Sequence, residues 1–123
     1  MTILITTMAP DLDAMVDPRF GRGAYFLIVD TDTLEWRAER NPAVNAPGGA
    51  GSQAAQFAAN QKVAAVISGD FGPNAYAALN AAGLPMYLSG TARTARDAIA
   101  SFKAGQLARV GTPTQPGHYG LRR

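Results

Sequence analysis

The chain has 123 residues, 47% of them hydrophobic, a formal net charge of +2, one histidine and no cysteine. That size and apolar content support one domain with an ordinary core, and the missing thiols exclude disulfides, cysteine-ligated zinc or iron–sulfur centres and thiol catalysis. The small positive excess is local and argues against nucleic acid: residues 1–104 carry eight basic and nine acidic side chains, whereas Arg109, Arg122 and Arg123 follow without an acid.

The first segment, Thr2 to Thr7, holds Ile3-Leu4-Ile5, apolar on both faces, and reads as a central strand of a covered sheet. It has neither a basic leader nor a long apolar run, and no window approaches the roughly 18 apolar residues of a membrane span, so the expectation is a soluble, cytoplasmic protein with no membrane partner. Asp11 to Pro18 reads as a polar loop in which Asp11, Asp13 and Asp17 are solvated. Tyr25 to Asp30 is the second strand and Leu34 to Glu39 the third. They are joined by the Asp/Thr turn Asp30-Thr31-Asp32-Thr33 into an antiparallel hairpin whose outer strand lies at an edge.

Asn41 to Gly51 is a loop rich in Pro, Gly and Asn, mobile when no ligand holds it. A helix follows to Asn60, with Ala50, Ala54, Phe57 and Ala58 on one face. Val63 to Ile67 is a short buried strand. The next helix starts at Pro73, where a missing N–H costs nothing, and stops at Gly83. Leu84 to Leu88 is the last strand. Thr94-Ala95-Arg96-Asp97 resembles a capping box for a third helix that buries Ile99 and Phe102 and ends near Gly105. Residues 1–107 then form the domain, and 108–123 a flexible or loosely docked basic tail.

Three strands followed by alternating helices and strands give a three-layer α/β/α fold with a mixed five-stranded sheet. Ligands of such sheets favour the rim at the C-terminal ends of the parallel strands. That rim gathers Pro18-Arg19-Phe20-Gly21-Arg22, Gly48-Gly49-Ala50-Gly51 and Gly69-Asp70-Phe71-Gly72-Pro73-Asn74, with Arg93 before the third helix. A glycine-marked helix start beside arginines suits an anion.

Other chemistries lack their residues. Asp70-Phe71-Gly72 has no kinase motifs around it. Two-metal hydrolysis lacks acids on the first strand and first helix. His118 stands alone, Met8, Met15 and Met86 read as filling or exposed side chains, and Ser68, Ser89 and Ser101 have no base.

The four motifs Pro18-Arg19-Phe20-Gly21-Arg22, Ala46-Pro47-Gly48-Gly49-Ala50-Gly51, Gly69-Asp70-Phe71-Gly72-Pro73-Asn74-Ala75 and Ala98 to Leu107 occur in an order that resembles the dinitrogenase iron–molybdenum cofactor biosynthesis family, from residue 2 to about 107. The resemblance implies a ribonuclease H-like fold without nuclease activity and a non-enzymatic protein that binds a metal–sulfur cofactor. Within the family the chain is most similar to carriers of a mixed molybdenum–copper sulfide cluster held without covalent attachment. Arg19 stands where some members carry histidine, so the chain offers no imidazole there.

On that reading Arg19 and Arg22 neutralise the cluster, and Gly49, Ala50, Gly51, Gly72 and Asn74 present backbone donors. Phe20 and Phe71 shield sulfide, Gly21, Gly48 and Gly69 shape the loops, and Arg93 and Thr94 lie further out. No side chain is assigned as a metal ligand. Two other readings stay open: a regulatory module that docks a partner such as an ATPase, and a phosphate or nucleotide binder, although no P-loop sequence is present. Asp70 opposes an anion unless it turns away to cap Pro73-Asn74-Ala75 or pairs with an arginine.

Overall fold

The computed structural model describes residues 1–46 and 48–114. Its elements run β1 (Thr2–Thr7), β2 (Tyr25–Asp30), β3 (Trp36–Arg40), α1 (Ala50–Asn60), β4 (Ala65–Ser68), α2 (Pro73–Ala81), β5 (Met86–Leu88) and α3 (Ala95–Lys103). The five strands form one sheet in the order β3-β2-β1-β4-β5. β1 pairs antiparallel with β2 and parallel with β4, and β4 pairs parallel with β5.

Alternation along the strands divides the core into two layers. Leu4, Phe26, Ile28, Val66 and Met86 pack with Ala54 and Ala58 of α1 and Ala75 and Leu79 of α2. Ile3, Ile5, Leu27, Val29, Ala65 and Ile67 pack with Ala95, Ala98 and Ile99 of α3. The result is the three-layer arrangement with α1 and α2 on one face and α3 on the other. β1 is central because Ile3 to Thr7 are all buried, and β3 is the exposed edge of the hairpin. No helix among the described residues is long and apolar enough to cross a membrane.

Four boundaries differ from the sequence reading; one is β5, which starts at Met86 because Leu84 N–H still closes the end of α2 on Leu79 O at 3.0 Å. β3 starts at Trp36 because Leu34, at φ 64°, still belongs to the turn, whose closure is Leu34 N–H to Asp30 O at 2.8 Å. β4 starts at Ala65, since Lys62 at φ 58° turns the chain and Ala64 N–H bonds Thr2 O at 2.8 Å. Residues 108–114, read from sequence as tail, run back along β5: Leu88 N–H bonds Ala108 O and Val110 N–H bonds Met86 O. Val110 is buried in the core, and the Tyr76 hydroxyl donates to Gly111 O at 2.8 Å. The missing signal was strand periodicity, because one apolar residue anchors this segment and backbone bonds do the rest. Residues 115–123, with His118, Arg122 and Arg123, lie outside the described residues.

Candidate anion-binding site

The three helices begin differently. α3 is closed at its N-terminus: Thr94 Oγ1 accepts the Asp97 amide at 3.1 Å, and the Ala95 and Arg96 amides bond Ala14 O and Leu12 O. α1 follows Gly49 at φ 71°, and α2 follows Gly72. Neither has a side-chain cap or an acid in its first turn. Their first i to i−4 bonds are Gln53 N–H to Gly49 O and Tyr76 N–H to Gly72 O, so the amides of Ala50, Gly51 and Ser52, and of Asn74 and Ala75, precede the helical ladder.

Both open ends border one cleft of about 280 Å³, lined also by Arg19, Phe20, Gly21, Arg22, Gly49 and Asp70. The helix starts meet there because Gly51 has no side chain: a Cβ at that position would stand 2.9 Å from Ala75 N. Gly21 fits against the same turn, its own Cβ position 3.0 Å from Gly51 Cα.

Two buried polar side chains hold the arginine loop, and both escape a reading of local sequence. Asp17, expected in solvent, is 1% exposed. It accepts the Arg19 amide at 3.0 Å, Arg19 Nε at 3.4 Å and the Ala24 amide at 3.4 Å. It is buried because the loop folds around its carboxylate, which satisfies amides that no strand pairs. Asn41, fully buried, donates to Gly21 O and Gly23 O. Arg22 Nη1 donates to Ala46 O at 3.1 Å, linking this loop to the one before α1.

Among the described residues Asp70 neither caps α2 nor pairs with an arginine. Its Oδ1 accepts the Thr114 hydroxyl at 2.8 Å, and the same hydroxyl oxygen accepts the Phe71 amide. Loss of hydration pushes the Asp70 carboxyl above its ordinary value, against the opposing hydrogen bonds from Thr114 and Phe71.

The other sequence candidates separate. Phe20 and Phe71 are buried and stacked at 5.6 Å; Phe20 underlies the cleft and Phe71 belongs to the core beneath it. Gly48 is exposed and does not line this cleft. Gly69 and Arg93 border a second cleft, and the Thr94 hydroxyl is engaged in its cap. No group of three or more His, Asp or Glu side chains is gathered among the described residues. The donor set suits an anion that arrives with its own coordination complete.

The profile of the family described as dinitrogenase iron-molybdenum cofactor matches residues 1–105. Among solved structures, the apo form of the orange protein from Desulfovibrio gigas superposes with a TM-score of 0.88 at 36% identity, over 93% of this chain and 96% of that one. A Thermotoga protein described as a candidate NifB protein superposes at 0.78 and 32% identity, over 93% and 97% of the two chains. An uncharacterized protein of Methanocaldococcus jannaschii is 32% identical over 95 residues, 75% of this chain and 80% of that protein.

Proposed function

The chain belongs to the dinitrogenase iron-molybdenum cofactor family, and on that premise we propose that it is a non-enzymatic carrier holding an anionic metal–sulfide cluster between α1 and α2. The observation that carries this reading is the meeting of two uncapped helix N-termini in one cleft beside Arg19 and Arg22. Each helix end presents roughly half a positive charge and free amides, a contribution of about 0.3–1 kcal/mol toward an anion. The guanidinium groups add directed donors. A volume of about 280 Å³, against about 30 Å³ for one water in the liquid, fits a polyatomic ligand better than a single ion.

The family description names an iron-molybdenum cofactor, and the motif resemblance favours molybdenum and copper as the metals. When bound, such a cluster supplies its own sulfide donors, which is compatible with a chain that has no cysteine. The protein's part is to neutralise charge through Arg19 and Arg22, to offer the amides of Gly51 and Asn74, and to keep a firm apolar floor through Phe20. Docking of an ATPase rests on no observation in this structure, whereas phosphate would meet the same donors.

The test mixes metal-free protein with tetrathiomolybdate and a copper salt, removes free metal by desalting, and measures visible absorption and bound metals. Retained molybdenum and copper, reduced in an Arg19→Gln/Arg22→Gln double variant, is the expected result. No retained metal, or full displacement of the cluster by modest phosphate, overturns it.

A further inference from the structure

The second cleft, of about 430 Å³, lies beyond the first across a wall formed by Pro18 and Gly69. Gly69 packs so tightly there that a Cβ would stand 2.6 Å from Pro18 Cα. The residues that follow each of them, Arg19 and Asp70, face the first cleft instead. The second cleft is built on the C-terminal ends of β4 and β5, where parallel sheets present ligand sites, and its size falls within the ~300–1,000 Å³ of small-molecule pockets.

Seven polar residues are buried in the described structure: Thr6, Thr7, Asp17, Thr31, Asn41, Ser68 and Ser89. Six have side-chain partners. Thr6 and Ser68 bond each other and Asp17 O, Thr7 bonds Ala9 O, Thr31 accepts from the N-terminus, and Asp17 and Asn41 brace their loop. Ser89, 6% exposed, is the exception among the described residues. Among the described residues no sealed polar side-chain atom lacks a partner, so the Ser89 hydroxyl is not sealed, and Ser89 lines the cleft.

Close to it stand the exposed Thr91 and Arg93, on a turn closed by Ala92 N–H to Ser89 O at 3.0 Å. Arg93 has no ion pair among the described residues, and its backbone is pinned by Val16 N–H to Arg93 O at 2.8 Å. The remaining lining is largely apolar: Met15, Val16, Pro18, Leu88 and Ala92, with Met15 49% exposed.

The geometry points to a second ligand site, in which a small organic carboxylate binds Arg93 and the Ser89 and Thr91 hydroxyls through its charged end. Its hydrocarbon end lies over Met15, Val16 and Leu88. One guanidinium and two hydroxyls match one carboxylate, and the apolar floor disfavours a bare inorganic anion, which would lose hydration there without compensation. The site is separate from the cluster cleft and stands whether or not that cleft holds a cluster.

The test titrates ¹⁵N-labelled full-length protein with hexanoate and follows amide shifts. Saturable shifts are expected at Val16, Gly90, Thr91 and Ala92, with Gly51 and Asn74 unmoved. Arg93→Gln should weaken binding about tenfold or more, because the charge-assisted hydrogen bond to the carboxylate is lost, and Ser89→Ala severalfold. Both substitutions leave the core contacts in place, so folding is checked by the unchanged remainder of the spectrum. Hexanol or inorganic phosphate producing the same saturable shifts, shifts mapping to α1 and α2, undiminished binding by the Arg93→Gln variant, or no saturation with hexanoate would each overturn the assignment.

Discussion

Thr114 Oγ1 stands 2.8 Å from Asp70 Oδ1 and 2.8 Å from the amide nitrogen of Phe71, across 44 and 43 positions of sequence. One hydroxyl therefore donates to the carboxylate and accepts from the amide of the turn that leads into α2. The Thr114 amide completes the contact by bonding Phe71 O at 2.8 Å. The last described residue thus closes the glycine turn from outside.

Thr114→Val keeps the shape and removes both bonds of the hydroxyl. The Phe71 amide and the partly buried carboxylate then lose the hydroxyl that bridges them and keep only their contact with each other, a cost toward the lower end of about 1–3 kcal/mol. Urea unfolding should show a lower midpoint with an unchanged slope, and Thr114→Ser should restore most of it. A valine variant as stable as the parent would mean that the Thr114 hydroxyl adds nothing and that Val110 and the backbone bonds alone hold the segment 108–114.

Stability should also depend on pH through Asp70. Its carboxyl in the folded chain holds a proton more firmly than in the unfolded chain, because hydration is lost. Over the interval from its ordinary value of 3.8 up to its raised folded value, the native state binds more protons. Its contribution therefore falls as pH rises through that interval and levels off above it. Asp70→Asn should remove this component from the pH series of urea midpoints. In the cleft the sign is the same: the ionised carboxylate repels an anion, so cluster retention should strengthen as pH falls through the interval in the parent and change less in the Asp70→Asn variant.

Local signals in the sequence were enough for the elements that local chemistry decides. α1 runs over Ala50–Asn60 as its alanine spacing predicts, α2 starts at Pro73, and Thr94 caps α3. The central place of β1 follows from Ile3-Leu4-Ile5 being apolar on both faces. Asp17 and Thr114 were illegible for the opposite reason. An aspartate in a polar loop and a threonine among prolines read as solvated until the loops that need their oxygens arrive from elsewhere in the chain. The site divides likewise: Arg19, Arg22, Gly51 and Asn74 do converge, but only three dimensions reveal that Arg93 and Gly69 stand on the far side of Pro18.

The two glycines flanking the α1 start should behave oppositely. Gly51→Ala places a methyl 2.9 Å from Ala75 N and 3.2 Å from Ala75 Cβ, which forces the two helix starts apart. Overpacking of this kind costs about 1–3 kcal/mol, and separating the two sets of amides should also reduce cluster retention. Gly48→Ala meets nothing within 4 Å and has no positive φ to strain, so its stability should stay within about 0.5 kcal/mol of the parent. Thermal unfolding and the metal-retention assay on both variants separate a close-approach requirement from a general need for glycine.

Asp17 should act as the brace of the arginine loop, with its ion pair secondary. The Arg19 side chain is 62% exposed, so water screens the charge interaction and little stability follows from it. The amides of Arg19 and Ala24 are different, since both point at a carboxylate that is 1% exposed. Asp17→Ala leaves both without that acceptor and should cost about 2–6 kcal/mol, at ~1–3 kcal/mol for each unsatisfied group. Asp17→Asn should recover only part, because one oxygen still accepts while the new NH₂ has no place opposite the Ala24 amide. Hydrogen exchange should quicken at Arg19 and Ala24 more than at Ile5 in β1, and cluster retention should fall as Arg19 loses its fixed position. Unchanged exchange at those two amides in the alanine variant would show that the loop holds its shape through Asn41 alone.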